Sequence, residues 1–193
     1  MIFLIIGFAF VFIDFGIMIN ELGGVEIFPD FVGWFLVFYG LIRLSPYGKN
    51  FSKVKYLSLA TGLLSVIIWV LDIIGVTKFF GVFSLPLMGI LCFFTLFILY
   101  RIIEGIGDAE NDNNADYGSK RLFKIFLPLC ISQSIGLIAS VLGMNAIMIA
   151  AYVVLTVCTV LLIVFMNGTR KAMDEKPPKI RESEIKKADR DDY

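Results

Sequence analysis

AIMIAAYVVLTVCTVLLIVFMNGTRK, residues 146–171, decides the fold. From Ala146 to Met166 it carries no charged residue, and Arg170 and Lys171 follow at once. A helix of that length rises about 31 Å, which matches the roughly 30 Å hydrocarbon core of a bilayer. Basic residues just beyond an uncharged apolar helix mark the face of a membrane that retains positive charge. The stretch reads as a membrane-spanning helix whose C-terminal end is cytoplasmic.

Working outward from it, five more apolar segments precede it, at about 1–19, 27–44, 57–76, 82–103 and 123–143. The fold class expected is an all-α integral membrane domain of six transmembrane helices over 1–166. Its hairpins fall at about 1–44, 57–103 and 123–166. A charged, disordered cytoplasmic tail is expected over 167–193, where Pro177-Pro178 interrupts alternating charge and too little apolar surface remains to order the chain. Of the 17 Lys and Arg, 16 lie in alternate gaps or in the tail, and Lys78 alone lies on the other side. That bias places both termini in the cytoplasm.

The composition agrees. It is 58% hydrophobic, where a soluble domain holds about 45–50%. The first segment has no basic residue before its apolar run and Asp14 inside it, so it reads as a retained span and not as a cleaved leader. The chain has no His, which removes the commonest metal ligand and the usual neutral-pH proton shuttle. Cys92, Cys130 and Cys158 sit singly in apolar segments and form no CxxC pair, so neither a disulfide framework nor a metal site is indicated. The acidic run 108–116 resembles the start of a calcium loop but lacks the required Gly and final Glu, and reads as a solvated loop. No cofactor is called for. The expected partners are the lipid bilayer and other membrane subunits or a second copy, with no nucleic acid.

Two hairpins repeat a pattern. Asp14 and Asp72, Pro29 and Pro86, and Arg43 and Arg101 are each separated by 57 or 58 positions. The reading is a tandem repeat of two-helix units in one orientation, each proline opening an inward-running helix. The third hairpin lacks the Asp and Pro and carries Ser132-Gln133-Ser134 instead.

Charged and amide side chains within spans are functional candidates, because burying them in hydrocarbon is costly. Asp14, Asp30 and Asp72 fall toward the outer side, and Gln133 falls near mid-membrane. Together they are the candidate intramembrane polar or ion site. Clustered carboxylates raise one another's proton affinity, as proton or cation exchange requires. The structural alternative makes Asp30 the N-cap of the second helix after Pro29 and has Gln133 bonded across helices. Gly33 and Gly40 share a helix face and predict close helix approach.

The segment IFPDFVGWFLVFYGL, residues 27–41, resembles a recurrent segment of uncharacterised bacterial multi-pass membrane proteins. That group carries a Pro-Asp-Phe opening, then a Gly and an aromatic, then an apolar run ending in Gly-Leu. The resemblance implies a multi-pass protein of a bacterial cytoplasmic membrane and brings no catalytic residue. The functional expectation is a small transporter or ion-coupled membrane protein. The alternative is a non-transporting scaffold or partner subunit. An enzyme ranks last, since no nucleophile–base pair is found.

Overall fold

The computed structural model describes residues 1–12, 16–18, 24–26, 29–74 and 81–178, with backbone alone at 16–18, 24–26, 81–85, Asp72 and Met88. Asp14 lies outside the described residues, as does the side chain of Asp72.

Six helices account for nearly all of it: α1 Ile2–Phe12, α2 Asp30–Leu44, α3 Lys49–Ile73, α4 Gly81–Asn113, α5 Ser119–Val141 and α6 Asn145–Glu175. Two three-residue strands, β1 Gly16–Met18 and β2 Gly24–Glu26, pair antiparallel with Ile17 opposite Val25. Each helix packs on the next in chain order, and α6 closes back on α1, so the helices form a ring. Four of them, in α3 to α6, are long and apolar enough to cross a membrane.

The first two elements correct the sequence reading. Within the apolar run 1–19 the described helix covers Ile2–Phe12, 11 residues where a span was expected. At about 1.5 Å per residue, α1 rises roughly 17 Å and the 15-residue α2 about 22 Å. Helix α2 begins at Asp30, and Pro29 takes the cap position with extended backbone. Asp30 is therefore the first helical residue and not the cap. Its carboxylate still lies in the first turn, where the helix dipole favours negative charge.

The other helices overrun their apolar windows at one end. Helix α4 continues through Asn113, so the acidic stretch from Asp108 is helical and not a loop. It stops at Asn114, which adopts φ +49°, and Ala115 N–H returns to the Glu110 carbonyl at 3.2 Å, a left-handed C-terminal closure. Helix α6 continues to Glu175, with Thr169 and Met173 buried, so the tail is ordered well past residue 166. Residues 179–193 lie outside the described part. Helices outrun apolar windows because the backbone keeps its hydrogen bonds after leaving a bilayer-sized apolar stretch, and only a cap stops it.

The hairpin repeat is not reproduced in register. Pro29 caps α2, whereas Pro86 lies inside α4. Arg43 is in the last turn of α2, whereas α4 runs on from Arg101 to Asn113.

Close packing of α1 on α2 rests on glycine. A Cβ on Gly33 would lie 2.6 Å from the Gly7 carbonyl oxygen, and one on Gly7 would lie 2.7 Å from that of Gly33. A Cβ on Gly40 would meet Leu4 at 2.9 Å. The contiguous apolar core draws on all six helices, toward the end that holds the α2–α3 and α4–α5 links. It includes Leu4, Phe8, Trp34, Leu41 and Phe51, runs along α4 from Ile98 to Ala109, ends on α5 at Leu129 and begins on α6 at Cys158.

Candidate functional site

The start of α3, the α4–α5 link and the end of α6 gather at one end of the ring. Asn50 at the start of α3 donates to the Asp108 carboxylate late in α4 at 2.9 Å. The Tyr117 hydroxyl donates to the Lys176 carbonyl at 2.9 Å, tying the α4–α5 link to the end of α6. Burial and the nearby Glu110 charge both push the Tyr117 hydroxyl up from its ordinary value, with burial the larger cause.

Glu110 organises this end. Its carboxylate accepts Tyr117 N–H at 2.7 Å, Ser119 N–H at 2.8 Å and the Ser119 hydroxyl. These groups lie at the N-terminus of α5, whose cap residue Gly118 sits at φ +89° and has no side chain to cap with. Glu110 supplies the capping oxygen from a different helix. Beside it, Asp116, Tyr117, Arg121, Gly168, Thr169 and Ala172 line a cavity of about 120 Å³ between α5 and α6.

A second group of charges lies where α1, α2 and α6 meet. The Arg43 guanidinium donates to the Tyr39 hydroxyl at 2.8 Å. Its carbon lies 4.9 Å from the Tyr39 ring centre and 5.2 Å from that of Phe3. The Met1 amine is pushed down, first by burial; Asp174 acts against this, and Arg43 and Arg170 add to it. Arg170 Nε is buried with no hydrogen-bond partner among the described residues.

Of the four residues singled out from sequence, Asp30 and Gln133 have described side chains, and these two lie on helices that do not neighbour one another in the ring. Asp30 opens α2, which packs on α1 and α3. Gln133 lies mid-way along α5, which packs on α4 and α6. Gln133 falls one turn past Leu129, where the apolar core ends on α5. Its Oε1 is buried without a hydrogen-bond partner among the described residues. Its neighbour Ser132 is satisfied by the Leu129 carbonyl at 3.0 Å. No group of three or more His, Cys, Asp or Glu suited to a metal ion occurs among the described residues, and all three Cys are free.

Glu110, Arg43 and Arg170 were not picked out by sequence reasoning as site residues. Glu110 had a local signal: a carboxylate eight and nine residues before the Gly118-Ser119 pair at a helix start. No protein-family model, curated protein or solved structure matches the chain.

Proposed function

We propose that this chain is an integral membrane protein that crosses a cytoplasmic membrane six times, with a small ion-coupled transport function centred on Gln133. The membrane reading rests on an inside-out distribution of side chains. Large apolar residues such as Ile67, Phe93, Leu127, Ile138, Val153 and Val164 are exposed, while Ser58, Thr61, Ser65, Thr95, Ser132 and Thr159 are buried. In water that exposed surface would drive aggregation. In lipid it is the expected outer surface, with small polar residues mediating helix contact. The end of α6 and the α2–α3 and α4–α5 links, flanked by basic residues and gathered at one face, then become cytoplasmic.

The transport reading is carried by the Gln133 oxygen. An unpaired buried amide acceptor costs about 1–3 kcal/mol. It persists where a ligand that brings positive charge or a hydrogen-bond donor, such as a cation or its water, completes it. The position suits this, because the tight apolar core closes the cytoplasmic half and ends one turn below Gln133. Scaffold or partner-subunit function is the second reading. It rests on Ser134, exposed beside Gln133, where a lipid-facing hydroxyl would be covered by another subunit.

Two measurements test this. In a background lacking Cys92, Cys130 and Cys158, an impermeant maleimide applied to intact cells should label Asn145→Cys but neither Lys53→Cys nor Lys171→Cys. Labelling at Lys53→Cys ends the orientation. For the site, melting of the detergent-solubilised protein should rise by at least about 2 °C in one of lithium, sodium or potassium relative to choline. Gln133→Leu should keep its basal melting point and lose that rise. A wild-type protein indifferent to all three cations leaves the scaffold reading ahead.

A further inference from the structure

We propose that Arg43 and Arg170 form a binding site for the phosphate of an anionic lipid headgroup, on the face where α1, α2 and α6 meet; this rests on the membrane reading above.

Three observations converge on it. The first is placement. Arg43, in the last turn of α2, lies 5.2 Å from the Phe3 ring centre at the start of α1, and α1 packs on both α2 and α6; the charges of Arg43 and of Arg170 on α6 both bear on the Met1 amine. Like charges on neighbouring helices repel, and an anion bound beside them offsets that repulsion. Asp174 is the one carboxylate among the groups acting on Met1, so positive charge remains in excess there. The second is the unfilled donor. Arg170 Nε is buried yet bonded to nothing among the described residues. A guanidinium presents its donors as a planar fork that matches phosphate oxygens. The third is that α1 offers backbone donors at the same point. Its first intrahelical bonds run from Leu4 and Ile5 to the Met1 carbonyl, which leaves the amides of Ile2 and Phe3 among the first-turn donors that a helix cannot satisfy itself.

The surroundings select a lipid over a free anion. Arg43 lies over the Phe3 and Tyr39 rings, which themselves meet edge-to-face, and aromatic residues are enriched at the bilayer interface. Around it Ile2, Tyr39 and Ile42 are all exposed, at 45%, 42% and 42%. An acyl chain covers such residues, and a free phosphate does not. Basic residues at the cytoplasmic surface are also drawn to anionic headgroups by its negative potential.

The test uses the full chain purified in a mild neutral detergent. Added phosphatidylglycerol should raise the melting temperature by about 4 °C over the same amount of phosphatidylcholine. Arg43→Gln with Arg170→Gln should reduce that difference to under about 1 °C. Lys53→Gln with Lys120→Gln, which removes as much charge from the same face, should leave it intact. Melting without lipid, recorded for each variant, separates lost binding from lost folding. A wild-type protein that responds equally to both lipids overturns the proposal without any variant. So does one that gains as much from millimolar inorganic phosphate, which would mark a free-anion site. Carbonate washing of membranes before purification keeps the two readings apart: a chain that stays in the pellet yet ignores phosphatidylglycerol is a membrane protein without this site.

Discussion

Gly33→Ala is expected to lower the melting temperature of the solubilised protein by about 6–12 °C, equivalent to roughly 3 kcal/mol. The reason is geometric. The new methyl would lie 2.6 Å from the Gly7 carbonyl oxygen and 2.8 Å from a Val11 methyl. The first of these is backbone, so no rotamer change relieves it and α1 must move away from α2. That movement also loosens Phe8 from Trp34, whose rings stand edge-to-face with centres 6.4 Å apart. Gly7→Ala meets the same contact from the other side, at 2.7 Å. The two substitutions remove one shared fit, so the double variant should lose much less than the sum of the singles. Gly168→Ala is the control. Nothing lies within 4 Å of its added methyl, and alanine is the better helix former by about 1 kcal/mol, so that variant should melt at or above wild type. If Gly33→Ala melts with Gly168→Ala, the close crossing of α1 on α2 is wrong.

That crossing shows what a sequence yields and what it withholds. Gly33 and Gly40 are seven residues apart on one apolar helix, which is enough to announce a close contact. Gly7 sits in a run of large apolar residues with no such spacing, and its role emerges only from the partner it faces. The longer helices were legible because apolar length and charge placement are one-dimensional signals. The ends of α1 and α4 were not. Ile17 and Met18 are apolar like Ile5 and Ile6, so hydropathy alone does not separate the strand from the helix. Asp108 to Asn113 is polar, so hydropathy stops while the helix continues. Carboxylates divided in the same manner. Asp14 and Asp72 drew attention because an acid within an apolar run is costly, yet the carboxylate with the most described hydrogen bonds is Glu110, in a polar stretch that read as solvent-facing. Its importance depends on the chain turning back at Asn114, and a single left-handed residue is a weak signal in sequence.

Glu110→Ala should therefore destabilise the protein more than any other loss of a carboxylate at the charged end, by about 2–3 kcal/mol, or roughly 4–12 °C in melting temperature. It removes the acceptor for Tyr117 N–H, Ser119 N–H and the Ser119 hydroxyl together. It also removes negative charge from the start of α5, where the helix dipole favours it. Gly118 offers no substitute, having no side chain. Tyr117, fixed on one side by Glu110, is fixed on the other by Lys176, so freeing it should also loosen the last turn of α6. Glu110→Gln keeps an acceptor oxygen but not the charge, and should fall between alanine and wild type. Glu104→Ala tests whether any carboxylate would serve. Glu104 pairs with Arg101 at 2.6 Å, but both side chains are about one-third exposed, and such a helix-surface pair contributes only about 0.3–0.5 kcal/mol. Hydrogen exchange locates the effect: in Glu110→Ala the amides of Tyr117 and Ser119 should lose protection while those of α3 keep theirs. Equal melting of Glu110→Ala and Glu104→Ala, or unchanged protection at Tyr117 and Ser119, would mean that water caps α5 as well as Glu110 does.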